Sequence, residues 1–228
     1  MNISVQCHSG EPMRHVVLLG DSIFDNAPYV PKGCEVQSQL QALLGGGHRV
    51  ILLARDGDVL ADVKKQVSRL QDMPAQSTNV VVSCGGNDVL GLVGYMQTGV
   101  KSVIEAAELL ASWQAEFRFE YRRMLDGVLA RGLPVAVATI YDSVPGLSPG
   151  LRAALAIFND VILREAVARQ LPVLDLRLVC GHPDDYSQAS PIEPSQQGGR
   201  KIAAAIAELL RSQETGVQRT VVFGPSQS

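Results

Sequence analysis

Val16-Val17-Leu18-Leu19-Gly20-Asp21-Ser22-Ile23 joins an uninterrupted apolar run to a short polar turn. Four apolar residues in succession, without polar alternation, suit a strand covered on both faces, as in the centre of a parallel sheet. Ligands in such sheets sit outside the carboxyl ends of the strands, so a serine hydroxyl leaving this strand stands where a nucleophile is useful. A Gly-Asp-Ser tripeptide alone is equally a turn or a helix N-cap, and the reading needs further strand ends. Two supply them. His48 to Ala54 runs into Arg55-Asp56-Gly57-Asp58, and Asn79 to Cys84 runs into Gly85-Gly86-Asn87-Asp88. Three strands thus bring Ser22, Gly57 and Asn87 to one rim.

Strand signals at about 15–19, 49–54, 79–84, 134–140 and 172–176 alternate with helical patterns at about 35–44, 58–71, 101–131, 150–170 and 195–211, the rhythm of βαβ units in an α/β fold. Gly45-Gly46-Gly47 and Gly132 close helices, and Pro134 and Pro172 open strands. In the long third helix Glu105, Trp113, Phe117, Tyr121 and Leu125 fall at helical spacing, and its apolar members are expected in the core. Near the C-terminus Thr220-Val221-Val222-Phe223 reads as a short edge strand or a docking segment. The chain is expected to form one domain, with a core at about 14–211, an N-terminal arm at 1–13 and an extension at 212–228.

Through Gly20-Asp21-Ser22, Gly57 and Gly86-Asn87-Asp88 the sequence resembles the GDSL, or SGNH, hydrolase family. That resemblance implies a three-layer α/β/α sandwich around a five-stranded parallel sheet of flavodoxin-like order 2-1-3-4-5. It also implies Ser22 as nucleophile, with Ser22, Gly57 and Asn87 stabilising an oxyanion. The fourth family motif, Asp-x-x-His-Pro, departs: Ser190-Pro191-Ile192-Glu193-Pro194 puts Ser190 in place of the acid and Glu193 in place of the histidine. A glutamate titrates near about 4.3 against about 6.5 for imidazole and is the poorer base unless burial raises it. Serine-carboxyl peptidases, an unrelated family, pair serine with glutamate and favour acidic conditions. Of the four histidines, His15 and His48 begin strands, about 15 Å from the active rim at roughly 3.3 Å per residue, and His8 lies in the N-terminal arm. His182, followed by Asp184 in the loop after the fifth strand, is the second candidate base.

The apolar loop Val89 to Met96, with Leu90 and Tyr95, is expected to line an acyl pocket; Tyr141, opening the turn to Gly146, stands on its opposite wall, and Asp21 flanks the nucleophile. Net charge −3 and the lack of a basic run argue against a nucleic-acid surface. No Gly-x-Gly-x-x-Gly or phosphate-loop motif calls for a cofactor, and Asp21, Asp25 and Asp88 lack histidine partners for a metal. Cys7, Cys34, Cys84 and Cys180 have no paired spacing and read as free thiols; without a signal peptide or a run of roughly 18 apolar residues, a cytoplasmic protein with no membrane span is expected. The expected activity is hydrolysis of small carboxylic esters. The rivals are an acyl-binding protein that has lost its base and an acyltransferase using the same serine.

Overall fold

Arg14–Gly20 forms the central strand β1. Val17 and Leu19 pack into one hydrophobic cluster and Val16 and Leu18 into another, which is why the run shows no polar alternation. The computed structural model describes residues 13–70, 78–213 and 222–223; Cys7 and His8 lie outside them. The other strands are β2 (His48–Leu52), β3 (Thr78–Ser83), β4 (Val135–Ala138), β5 (Val173–Leu174) and β6 (Val222–Phe223). All pair in parallel in the order β2-β1-β3-β4-β5-β6, which contains the expected 2-1-3-4-5 and adds β6 at the edge.

Helices α1 (Val36–Leu44), α2 (Val63–Ser68), α3 (Gly86–Leu90), α4 (Val103–Leu129), α5 (Pro149–Ala168), α6 (Leu176–Val179) and α7 (Gln196–Gln213) cover both faces. The cluster on one face takes Val63 from α2, Phe117, Tyr121 and Leu125 from α4 and Phe158 from α5. That on the other takes Val36 and Leu40 from α1, Leu176 from α6 and Ile202 and Ile206 from α7. Three layers result, as expected of an α/β/α sandwich. The apolar stripe of α4 is core as read, with Trp113 half-buried, whereas Glu105 is exposed and takes the Ser102 side chain as cap for its N–H.

Two boundaries differ from the sequence reading for reasons that bear on the site. The second helix begins at Val63 rather than near 58, because the Asp58 carbonyl and the Leu60 N–H bond to the side chains of Asn87 and Asp88 instead of entering a helix. The fifth strand ends at Leu174, because the Asp175 side chain accepts the Arg177 N–H and caps α6.

Candidate active site

The turn carrying Ser22 is fixed from beneath. At Gly20, with φ +121°, a Cβ would stand 1.7 Å from the Ser83 carbonyl oxygen, so only glycine lets β1 approach the end of β3. The Gly20 N–H donates to Gln66 Oε1 at 2.8 Å, and Gln66 Nε2 donates to the Gly20 carbonyl at 2.7 Å and to Asp58 Oδ2 at 2.8 Å. One buried amide on α2 therefore clamps the serine strand to the Gly57 loop. Beyond it the Asp21 N–H donates to the Ser83 carbonyl, and Asp21 Oδ1 accepts the Ile23 N–H. Ser22 is buried at the end of this turn.

Each of the three loops carries a hydrogen-bond donor with capacity to spare. The backbone N–H groups of Ser22 and Gly57 have no acceptor among the described residues. Asn87 Nδ2 spends one hydrogen on the Asp58 carbonyl at 2.9 Å, leaving its second amide hydrogen to offer. Gly57 itself, at φ +83°, is exposed and does not line the cavity beside Ser22, whereas Ser22 and Asn87 do.

The loop from Ser187 to Ser195 brings Glu193 to the serine, held by bonds within itself and by bonds to other elements. The Glu193 N–H donates to the Ser190 carbonyl, and the Glu193 carbonyl accepts the Ser187 N–H at 2.8 Å. The Tyr141 hydroxyl donates to the Ile192 carbonyl, Asn26 Nδ2 to the Pro194 carbonyl, and the Ser195 N–H to the Asp185 carbonyl. At Gly198, in the first turn of α7, a Cβ would lie 2.1 Å from the Asp185 carbonyl oxygen, so this glycine permits the helix to seat behind the loop.

Glu193 is 4% exposed and lines the cavity with Ser22. Burial raises its carboxyl to about 7, the Ser22 hydroxyl offsetting part of the rise by hydrogen bonding and Asp56 adding to it by charge repulsion. Oxygen Oε2 is sealed from solvent without a partner. Asp21, also buried, is pushed to about 8, chiefly by desolvation and further by repulsion from Glu193 and Asp88. Two acids that are ordinarily charged at neutral pH are thus held near the point of titration beside one hydroxyl.

The remaining sites from the sequence divide. Leu90 and Tyr141 line the cavity, whose volume is about 120 Å³, while Tyr95 is exposed and faces an adjoining groove. His182 is exposed, caps the turn at 183–185 by accepting the Asp184 N–H on Nδ1, and is not part of the cavity wall. Gln66 and Asn26 went unread in the sequence, because their bonds to Gly20 and Pro194 span 46 and 168 residues and no local pattern marks them. Among the described residues no cluster of histidine, cysteine and carboxylate side chains could hold a metal ion, and no helix is long and apolar enough to cross a membrane.

Solved structures share this architecture. A member of the lipolytic G-D-S-L family from Veillonella parvula superposes with a TM-score of 0.67 at 14% identity, over 87% of this chain and 98% of that one. An extracellular lipase from Streptomyces rimosus gives 0.61 at 19% identity over 87% and 99% of the two chains. A lipase/acylhydrolase from Enterococcus faecalis gives 0.62 at 20% identity over 95% and 100%. At such identities the likeness establishes the fold, and no curated protein matches the sequence. The profile of the GDSL-like lipase/acylhydrolase family, however, spans residues 18–201, from the strand before Ser22 to the helix after Glu193, and the chain belongs to that family.

Proposed function

We propose that the protein hydrolyses carboxylic esters through an acyl-serine intermediate, with Ser22 as nucleophile and Glu193 as its base. The observation that carries this reading is the burial of Glu193 against the Ser22 hydroxyl, with its carboxyl raised to about 7. An imidazole titrates at about 6.5, so burial gives this glutamate the proton affinity that the family's histidine has intrinsically.

In the forward step the Glu193 carboxylate takes the Ser22 proton as Oγ bonds to the ester carbonyl carbon. The carbonyl oxygen, now an oxyanion, is met by the Ser22 and Gly57 N–H groups and the second hydrogen of the Asn87 amide. The bond to the alkoxy oxygen then breaks, and Glu193 returns its proton to the departing alcohol. Water attacks the acyl-serine in the same manner, giving one proton to Glu193, which passes it back to Ser22 as the acid leaves. Each oxyanion donor of this kind is typically worth about 10²–10³ in rate.

The reading is tested by following p-nitrophenyl acetate hydrolysis and fluorophosphonate labelling of the wild-type protein beside Ser22→Ala. Hydrolysis and covalent labelling that both vanish in the variant are expected. Equal hydrolysis by the two proteins, or a wild-type serine inert to the fluorophosphonate, removes Ser22 from the chemistry and leaves an acyl-binding cleft.

A further inference from the structure

The cavity beside Ser22 is polar only at one end. Asp21, Ser22, Asn87 and Glu193 crowd the reacting end, and away from them the wall is Val89, Val93, Met96, Ile140, Leu151 and Leu155. At about 120 Å³ it is smaller than the roughly 150 Å³ dry cavity that accepts a benzene ring, enough for a short acyl group and no more. Behind it lies a second groove of about 470 Å³, between the segment at 95–100, the first turns of α4 and the start of α5. Val93, Met96 and Leu151 line both spaces, so side chains alone divide them, one a methionine whose unbranched, adaptable stem yields readily. No charged side chain lines the groove. Val100, which lines it, is exposed, as are Val103 and Ile104 at the start of α4, Val103 to 87%.

Resting on the esterase reading above, we infer that the substrate is an ester of an unbranched medium-length fatty acid, the first carbons of its acyl chain filling the cavity at Ser22 and its tail passing Met96 into the α4–α5 groove. The wall the two spaces share, made of Val93, Met96 and Leu151, and the confinement of charge to the reacting end point to the occupant. Tyr95, Gln97, Thr98 and Ser148 are the polar side chains of the groove, and against Val89, Leu155, Leu109 and Leu110 a polar chain would leave its hydrogen-bonding groups unmatched where a hydrocarbon has none to match.

The test is a series of p-nitrophenyl esters from acetate to decanoate, below their aggregation limits, with kcat/KM for each. Beyond butyrate it is expected to rise by about fourfold for each methylene that leaves water, through octanoate. Ala106→Trp fills the groove from α4, and Thr98→Trp does so from an exposed position that does not challenge folding; each is expected to lower the octanoate-to-butyrate ratio at least about tenfold. Calorimetric binding of octanamide to the Ser22→Ala protein, against butanamide, reads the groove without chemistry, and both tryptophan variants are expected to weaken octanamide alone. Ser22-dependent hydrolysis that is flat or falls with chain length overturns the tail groove and leaves the esterase reading standing. No Ser22-dependent hydrolysis, with octanamide binding still lost on filling the groove, does the reverse. Chain-length profiles unchanged in both tryptophan variants, with a change in sedimentation instead, make the groove a contact between copies of this chain and overturn the inference.

Discussion

Glu193 shows how position replaces residue type. In water its carboxylate is a weak base, and as a substitute for histidine it reads as damage. Sealed at 4% exposure beside Ser22, its carboxyl is raised to about 7, so on the proposed mechanism activity is expected at neutral and alkaline pH rather than the acidic preference expected from other serine–glutamate enzymes. The same burial carries a cost in stability. Between the ordinary value of 4.5 and about 7 the folded protein holds a proton on Glu193 that the unfolded chain has released, so stability falls as pH rises across that window and levels above it. Asp21 acts with the same sign between 3.8 and about 8. Glu193→Gln and Asp21→Asn are therefore each expected to leave thermal unfolding unchanged near pH 4 and to stabilise the protein near pH 8, by on the order of 1–3 kcal/mol. Melting curves at the two pH values check this, and equal shifts at both would show that neither acid is held protonated. The surroundings of Ser22 thus oppose folding, as functional sites often do.

At the scale of elements, the loop from Ser187 to Ser195 decides whether Glu193 meets the serine. Its Ile192 and Pro194 carbonyls are taken from outside by the Tyr141 hydroxyl and the Asn26 amide, and its Ser190 and Glu193 carbonyls from within by the Glu193 and Ser187 N–H groups. Tyr141→Phe leaves the Ile192 carbonyl without its donor, and an unsatisfied buried group costs about 1–3 kcal/mol. The expected result is a lower melting temperature and a fall in kcat larger than any rise in KM; a kcat at the wild-type level would show that the loop holds Glu193 without Tyr141. These bonds were illegible in the sequence, although Tyr141 itself is read there as a wall of the pocket. The strands and long helices announce themselves by apolar runs and 3.6-residue spacing, whereas Tyr141 and Asn26 reach the loop through long-range bonds to the Ile192 and Pro194 carbonyls. Helices α3 and α6 are five and four residues long, too short to show a period.

Across the whole molecule, the parallel order of the sheet turns local motifs into one site. Ser22, Asn87 and the loop of Gly57 follow β1, β3 and β2, which are adjacent, and this convergence was readable because each strand end is marked by glycine and a polar side chain. The clamps that complete it were not. Gln66 grips both backbone groups of Gly20, and Asn159 does the same at the end of β4, its Oδ1 accepting the Ile140 N–H and its Nδ2 donating to the Ile140 carbonyl, each at 2.8 Å. Two side-chain amides thus extend the ladder where the strands part. Gly20→Ala places a methyl against the Ser83 carbonyl in a backbone conformation that alanine resists, and is expected to destabilise the protein by more than about 2 kcal/mol while abolishing fluorophosphonate labelling. Chemical denaturation with parallel labelling reads both effects, and full labelling at wild-type stability would show that the β1–β3 approach is not needed.

The claim on which the rest depends is that a buried glutamate serves Ser22 as base. It is met most directly by kcat/KM for p-nitrophenyl acetate from pH 5 to 9, for the wild-type protein and Glu193→Gln. A wild-type rate climbing about tenfold per pH unit to a plateau above about 7, with the variant lower by about 10²–10⁴ and lacking that inflection, is the result predicted. A variant that keeps the wild-type rate and the same inflection contradicts it.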